Sequence, residues 1–243
     1  MDKKDVLDIL KDDEQYYGDF GKQYFSNSDI GVLLTNPMAF HQPFEKTVPL
    51  VIGGYFHTAI LEPKKIKNYK VVKSSSRSTK IYKEASEGKI CLLEHEVDMI
   101  KSMKDRIFNN NVCRDLIQND NNKYEVPGIC EIEGRMWKGK ADILNVKSKV
   151  IVDLKTTNDI NKFDYSAKKY NYDSQAYIYK KIFGYDILFL VIDKNTNQIG
   201  IYDCSDQFYD SGLDKVQRAI EAYDKYFNSK DFDPDQFFIT KTL

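Results

Sequence analysis

The chain has 243 residues, of which 42% are hydrophobic and 13% are aromatic, and its formal net charge at pH 7 is −1. This length and composition suit one globular domain with a sizeable core and argue against a disordered chain. Because the net charge is close to zero, any nucleic-acid binding must come from local basic patches and not from the charge of the whole molecule.

Signals for membrane insertion, secretion and sulfur-ligated metals are missing from the sequence. No apolar stretch approaches the ~20 residues of a membrane span. The segment MDKKDVLDILKDDEQ is charged and contains no apolar signal-peptide region. The four cysteines, Cys91, Cys113, Cys130 and Cys204, form no Cys-x-x-Cys pair. We therefore expect a cytoplasmic protein with reduced thiols, no membrane partner and no zinc or iron–sulfur site.

The first half of the chain is predicted to be mainly helical. Short helices are expected over residues 4–14 and before Pro37, and a longer one from about residue 48 or 50 to residue 61. His57 lies on this longer helix, one turn after a pair of glycines. Apolar residues at helical spacing predict a long helix from residue 89 onward and a short one over residues 112–117.

A basic stretch interrupts these helices. Residues 64–83 contain seven lysines, one arginine and no acid, and the polar part of this stretch predicts a loop. Such a loop is either a solvated, mobile segment or a contact for the phosphate backbone of a nucleic acid. In the second interpretation the contacts would come from Lys73, Arg77 and Lys80.

The second half of the chain predicts a mixed sheet. Three strands follow one another without a helix between them, and a helix ended by Gly184 then precedes two more strands and a closing helix. Residues 158–169 are predicted to be a polar loop. The predicted strands cover residues 124–133, 136–146, 149–156, 187–193 and 198–204, and the helices cover residues 172–183 and 206–228.

This order of elements predicts an α/β (α+β) fold in which helices pack over a mixed central sheet. With no internal repeat or linker, we expect a single domain. Its parts would be a mainly helical region (residues 1–123), a core (residues 124–204) and a C-terminal helix and tail (residues 205–243).

The most informative stretch is KGKADILNVKSKVIVDLKTT, residues 138–157. Alternation along a strand puts Asp153 and Lys155 on one face, opposite an apolar face of Val150, Val152 and Leu154. Asp142 on the preceding strand can approach Asp153 if the two strands form a hairpin. Adjacent carboxylates repel unless a proton or cation lies between them, so the pattern suggests Mg²⁺ or Mn²⁺ and phosphate-ester hydrolysis. The alternative is an exposed ion pair that contributes little.

Three further features could belong to this site. Gln175 and Tyr179 are four residues apart, so they share one face of the helix that follows the second strand. His57 is a candidate ligand, although a lone histidine is more often structural. Glu131 lies near the end of the strand before Asp142, and Glu133 is equally eligible because it shares the same face.

Taken in order, these motifs resemble the PD-(D/E)xK nucleases, and more narrowly the exodeoxyribonuclease VIII branch close to phage lambda-type and RecB-type exonucleases. The resemblance covers about residues 24–203. Two positions depart from the family pattern, because no proline precedes the first aspartate and because the second acidic position is Asp rather than Glu. The matching motifs are G-x-x-x-H-x-x-x-L-E-P at residues 53–63, Glu131, GKAD ending at Asp142, VDLKTT with Asp153 and Lys155, and Q-x-x-x-Y with Gln175 and Tyr179.

The resemblance implies a restriction-endonuclease-like core and an assignment of roles. Lys155 would contact the attacking water or the scissile phosphate, and Gln175 and Tyr179 would orient Lys155 or the DNA strand. Glu131 would help to hold a second metal ion or its waters. The ligands of a divalent metal, Mg²⁺ with Mn²⁺ as a substitute, would be Asp142, Asp153, His57 and the backbone carbonyl of Leu154.

The resemblance also implies an activity and partners. The activity would be metal-dependent 5′-to-3′ degradation of linear double-stranded DNA from its ends, leaving 5′-phosphates. The protein would form a homo-oligomeric ring and would work with a single-strand annealing protein in phage-type recombination, as a phage or prophage protein in a bacterial cytoplasm. The alternatives are an endonuclease, a non-cutting DNA-binding member of the fold, and a RecB- or CRISPR-associated-type nuclease. The iron–sulfur form of the last needs a cysteine cluster near the C-terminus, where only Cys204 is found.

Overall fold

The computed structural model describes residues 1–43, 45–230 and 232–233. None of the helices in these residues combines the length and apolar character that a membrane crossing requires. The strands are β1 (Val71–Val72), β2 (Leu92–Leu93), β3 (Asn122–Ile132), β4 (Arg135–Asn145), β5 (Val150–Thr157), β6 (Asp186–Asp193) and β7 (Ile199–Tyr202). The α-helices are α1 (Lys3–Ile9), α2 (Asp13–Tyr17), α3 (Asn27–Thr35), α4 (Val48–Leu61), α5 (Lys80–Ser86), α6 (Glu94–Phe108), α7 (Asn111–Ile117), α8 (Phe163–Lys169), α9 (Tyr172–Phe183) and α10 (Asp206–Tyr223).

A five-stranded mixed sheet organises the molecule. Its strands lie in the order β3-β4-β5-β6-β7, and only β5 and β6 pair in parallel. A parallel pair needs a crossover connection, and α8 and α9 supply it. This arrangement confirms the predicted mixed α/β fold with helices over the sheet and a helical N-terminal region.

Strand β5 is buried on both faces, which differs from the prediction. Ile151 packs in the core beneath α9 and α10, whereas Val152 and Leu154 pack in a second core against α4 and α6. The predicted solvent-facing side is therefore covered by α9, as is usual when a helix crosses over parallel strands. Asp153, on the same side as Ile151, consequently lies inside the protein, with only 2% of its side chain exposed.

A smaller apolar cluster holds the first residues of the chain. Val6, Leu10 and Tyr16 pack against Ile129 of β3. The predicted helix over residues 4–14 is in fact two helices, each begun by an aspartate that caps the following backbone N–H groups, Asp2 for α1 and Asp12 for α2. This N-terminal region thereby covers one face of the β3–β4 hairpin.

Four parts of the chain differ from the sequence prediction, because tertiary contacts override local spacing. Leu92 and Leu93 form strand β2, paired in parallel with β1, and the long helix begins only at Glu94. Residues 80–83, predicted to be loop, begin helix α5, and residues 163–169, also predicted to be loop, form helix α8. The closing helix is α-helical as far as Tyr223 and then forms a π-turn to Asn228. Most of the predicted C-terminal tail lies outside the described residues.

Arg77, predicted to contact DNA, is bound inside the protein. Its guanidinium donates two hydrogen bonds to the Glu96 carboxylate, at 2.8 and 2.7 Å, and a third to the carbonyl of Cys91 at 3.0 Å. The Glu96 carboxylate also accepts a hydrogen bond from the backbone N–H of Leu93, at 2.8 Å. Arg77 therefore joins the basic stretch to the start of α6 and is not free for a phosphate.

We expect the substitution Glu96→Gln to lower the free energy of unfolding by about 1–3 kcal/mol at neutral pH, because it removes the charge from a nearly buried, bidentate pair. Burial raises the pKa of Glu96, but the hydrogen bonds from Arg77 and Leu93 and the charge of Arg77 outweigh it and hold the pKa below its usual value. The stabilisation is thus complete above the ordinary glutamate pKa and is lost as the pH falls through the lowered one.

Urea unfolding at pH 7 and at about pH 3 checks this prediction, since the difference between wild type and Glu96→Gln should shrink in acid. Glu94→Gln is the matched control, because Glu94 lies two residues earlier in the first turn of α6 and is exposed. A difference that is the same at both pH values would contradict the assignment of the stabilisation to the ionised carboxylate.

Candidate active site

The candidate site lies where β4 and β5 separate. The two strands pair from Asn145–Val150 to Ile143–Val152, and the pairing stops before Asp142. The side chain of Asp142 takes the place of the missing ladder bond, because its Oδ2 accepts the backbone N–H of Leu154 at 2.8 Å. Asp142 and Asp153, which were predicted to meet, therefore lie on the two sides of one fork between strands.

An irregularity in the sheet aims Asp142 into this fork. Ala141 packs in the core beneath α9, whereas Ile143 packs in the core against α4, so the regular alternation of β4 shifts at Asp142. Glu125 on β3 lies opposite Asp142, but the two residues do not pair in the ladder between β3 and β4. The φ of Glu125 is 50°, in the left-handed region. Local breaks of this kind are known to redirect side chains next to functional sites.

His57 reaches the fork from the other side. Helix α4 buries Phe56 and Ile60 against the sheet, and its next face carries His57 toward Asp142 of β4. The His57 Nδ1 lies 3.1 Å from Asp142 Oδ2, and 29% of the imidazole remains exposed. Burial lowers the pKa of His57, but the charge of Asp142 and the hydrogen bond to it prevail and raise the pKa above the ordinary value. The same pairing holds the pKa of Asp142 below its usual range, against the effect of burial.

Asp153 is held by two partners on its own side of the sheet. Gln175 of α9 donates a hydrogen bond from Nε2 to Asp153 Oδ1 at 2.6 Å, and the ammonium of Lys155 contacts Oδ2. Oδ2 is buried, and the Lys155 ammonium is the one described group that pairs with it. Burial raises the pKa of Asp153; the charge of Lys155 opposes this and the charge of Asp142 adds to it.

Aromatic rings confine the Lys155 ammonium. It lies 4.7 Å from the ring centre of Tyr172 and 5.9 Å from that of Phe189, which are cation–π distances. Burial lowers the pKa of Lys155, but the charge of Asp153 and its other partners raise it, so the amine is protonated. Sequence reasoning missed Tyr172, although its position three residues before Gln175 on the same helix face was a usable signal.

Tyr179 is hydrogen-bonded to the backbone of β4 and not to Lys155. Its hydroxyl donates to the carbonyl of Lys140 at 2.9 Å and accepts the Lys140 N–H at 3.4 Å. Its ring lies over Gly139, where a Cβ would come within 2.7 Å of the ring carbon Cε1. Of the two predicted helix residues, then, Gln175 contacts a carboxylate of the site, whereas Tyr179 positions the strand that carries Asp142.

The structure separates Glu131 from this group. Glu131 pairs with Met136 near the hairpin turn, six strand residues away from the position opposite Asp142, or about 20 Å. Glu133 lies in the turn itself. The acid opposite Asp142 is Glu125, whose pKa is raised to about 7 by burial and by the charges of Asp142 and Glu62. Only the register of β3 on β4 identifies Glu125, so no signal in the linear sequence distinguishes it from Glu131.

The donor types at the fork suit a hard divalent cation, since two carboxylates and one imidazole are ligands that Mg²⁺ and Mn²⁺ accept. Asp153 Oδ2 supports this fit, because it is buried and Lys155 is the one described group that pairs with it. Within the described part of the chain, no three His, Cys, Asp or Glu side chains are gathered tightly enough to hold an ion as they stand. Each carboxylate is instead paired with a base, Asp142 with His57 and Asp153 with Lys155.

The remaining two predicted DNA contacts lie on the surface. Lys73 follows β1 and is exposed, and Lys80 begins α5 with 88% of its side chain exposed and only a 3.8 Å ion pair to Glu84. Both are available to a polyanion, in contrast to Arg77.

Comparison with solved structures shows a shared fold. A protein from Eubacterium rectale, described as a putative exonuclease, superposes with a TM-score of 0.66 over 96% of this chain and 95% of its own, at 16% sequence identity. A phage-related exonuclease from Haemophilus somnus 129PT matches 63% of this chain and 88% of its own at 15% identity, with a TM-score of 0.34 that is too low to bear on function.

Comparison with curated proteins gives no match. The profile of one family, described as a PDDEXK-like domain of unknown function (DUF3799), matches residues 35–236. This match spans most of the chain and includes the fork, α4 and α9. The chain therefore belongs to this PDDEXK-like family and has the corresponding nuclease fold.

Proposed function

We propose that this protein is a divalent-metal-dependent exonuclease that hydrolyses the phosphodiester bonds of linear double-stranded DNA, 5′ to 3′, and leaves 5′-phosphates. The observation that carries this proposal is the fork itself, where Asp142, Asp153 and the amine of Lys155 lie close enough to interact electrostatically with one another. Paired carboxylates next to a lysine, in a PDDEXK-like fold, suit phosphodiester hydrolysis better than a structural ion pair, which would not need His57 and Gln175 as well.

Four groups would hold the metal: Asp142, Asp153, His57 and the backbone carbonyl of Leu154. A bound Mg²⁺, for which Mn²⁺ would substitute, supplies positive charge that stabilises the attacking and leaving oxygens of the displacement. The hydrogen bond from Leu154 N–H fixes one Asp142 oxygen, and α4 brings His57 to the same oxygen. These contacts preorganise the ligands before any substrate arrives.

Lys155 would act on the substrate directly. Its ammonium lies between the Asp153 carboxylate and the Tyr172 ring, so it can contact the attacking water or a phosphoryl oxygen and stabilise the charge that develops there. Gln175 is a positioning residue, because it binds Asp153 Oδ1 and leaves Oδ2 toward the site. Tyr179 positions β4 through the backbone of Lys140.

Glu125 takes the role that the resemblance gave to Glu131. It stands opposite Asp142 and shares its charge environment with Asp142, Glu62 and His57. A carboxylate in that place would help to hold a second metal ion or the waters around it.

The partners that we propose are those the motif order suggests. They are double-stranded DNA ends, a homo-oligomeric ring around the DNA and a single-strand annealing protein, in the cytoplasm of a bacterium that carries the phage or prophage. Lys73 and Lys80 would contribute phosphate contacts outside the fork, since both are exposed.

We expect the purified protein with Mg²⁺ to release nucleotides from end-labelled linear duplex DNA and to leave closed circular duplex intact. Lys155→Ala should abolish turnover in a folded protein, since it removes the charge next to the reacting phosphate. Assays with and without a 5′-phosphate, and with excess chelator, test polarity and metal dependence. Equal cutting of circular DNA would contradict the exonuclease, and wild-type turnover by Lys155→Ala would contradict the catalytic role of Lys155.

We expect His57→Ala to weaken Mn²⁺ binding about tenfold or more, because it removes one ligand and the partner of Asp142. Calorimetric titration of Mn²⁺ into the folded variant measures this. His95→Ala is the matched control, since His95 is exposed on α6. Equal Mn²⁺ affinity of wild type and His57→Ala would remove His57 from the set of ligands.

Glu125→Gln should raise the Mg²⁺ concentration needed for half-maximal rate about tenfold, as the loss of an acid close to a metal site does. The same change should stabilise the fold at about pH 8, with a benefit that shrinks as the pH falls from about 7 toward 4.5, the window in which the folded protein holds a proton that the unfolded chain has lost. Glu131→Gln, on the same strand, should change neither quantity. The proposal for Glu125 fails if the two variants behave alike in the Mg²⁺ titration.

A further inference from the structure

The N-terminal segment, residues 1–24, lies against the strand that carries Asp142. Its apolar residues pack on Ile129, and Tyr16 lies over the amines of Lys138 and Lys140, at 4.4 and 4.3 Å from its ring centre. Between residues 1 and 20 the segment carries seven acidic and three basic side chains. A negatively charged segment therefore covers a row of lysines that leads along β4 toward the fork.

Lys140 is bound by this segment. Only 7% of its side chain is exposed, and its Nζ lies 2.6 Å from Asp13 Oδ1. Lys140 precedes Asp142 by two residues, which is about 7 Å of strand. A nearly buried ammonium needs a counter-charge, and here the counter-charge comes from α2 and not from the fork.

The second oxygen of Asp13 is bound by a different lysine. Lys65 Nζ lies 3.1 Å from Asp13 Oδ2 and 2.6 Å from Glu62 Oε1. Lys65 belongs to the 3₁₀ turn that directly follows α4, the helix of His57. The two lysines that hold Asp13 thus come from β4, which carries Asp142, and from the turn that follows the helix of His57.

This arrangement is what the backbone of a nucleic acid would require. A phosphodiester presents two non-bridging oxygens with one negative charge between them, and a carboxylate held through both oxygens by two ammonium groups has the same chemical character. A DNA strand with its scissile phosphate at the fork would place a neighbouring phosphate within reach of residues a few ångströms along β4.

We propose that Lys65 and Lys140 form a binding site for a DNA backbone phosphate beside the fork, and that Asp13 occupies this site until DNA displaces it. The inference rests on the proposed function, because it takes DNA to be the substrate. The N-terminal segment then acts as an internal competitor that lowers the affinity for any polyanion too weak to displace Asp13.

The experiment compares Asp13→Asn with Asp8→Asn, which removes the same charge from the same segment at an exposed pair with Lys11. Binding of a fluorescent linear duplex is measured in chelator, where no cutting occurs, across a range of salt concentrations. Asp13→Asn should bind about tenfold more tightly than wild type at about 50 mM salt, with a log–log salt slope steeper by about one unit, as one added phosphate contact requires. Asp8→Asn should increase the affinity for DNA only slightly, because it removes one negative charge without freeing the proposed phosphate site.

A second pair of variants tests whether Lys65 is responsible for the tighter DNA binding. Adding Lys65→Gln to Asp13→Asn should remove the tighter binding and return the salt slope to the wild-type value, whereas adding Lys64→Gln, at the exposed neighbouring lysine, should not. Thermal melting of each variant shows that it is folded under the conditions of the binding assay.

Two results would overturn the inference. If Asp13→Asn binds DNA as wild type does, while wild type cuts linear DNA, then Asp13 only ties the N-terminal segment to the domain and the proposed function survives. If wild type neither binds nor cuts DNA and no variant binds it, then the proposed function fails and the phosphate site fails with it.

Discussion

The structure depends on two carboxylates that share one fork in the sheet, Asp153 buried and Asp142 mostly buried. Like charges in a poorly solvated place are tolerated only when each has a partner. Asp142 has His57 and the N–H of Leu154, and Asp153 has Lys155 and Gln175. Because His57 comes from α4 and Gln175 comes from α9, both faces of the sheet must be packed before the fork is complete. The two apolar cores are therefore part of the site's construction as well as of the protein's stability.

A series of charged groups leads from this fork to the surface. Glu125 lies in the field of both Asp142 and Glu62, Lys65 binds Glu62, and Asp13 joins Lys65 to Lys140. An incoming polyanion would compete with acids already in place, which makes the N-terminal segment relevant to binding although it contributes no residue to the fork.

Other charged pairs stabilise the fold at a distance from the fork. Arg77 holds Glu96 at the start of α6, and Lys215 of α10 holds the buried Asp173 of α9 at 2.8 Å. Removing one partner from such a pair leaves a charge inside the protein, which costs more than the pair itself contributes. A run of basic residues in a sequence can thus contain both a structural arginine and exposed lysines that remain free for a phosphate.

The sequence by itself determined what depends on short-range patterns. Alternation put Asp153 and Lys155 on one side of β5, the glycine at position 184 ended α9 where it was predicted to end, and the order of elements predicted the mixed sheet. Only the tertiary structure decided what depends on distant neighbours. The register of β3 on β4 put Glu125, and not Glu131, opposite Asp142. The packing of α6 turned Arg77 inward, since the carboxylate that binds it lies nineteen residues away along the chain. A strand's face and a helix's end are local properties of the backbone, whereas the partner of a charged side chain is set by whichever elements the cores bring together.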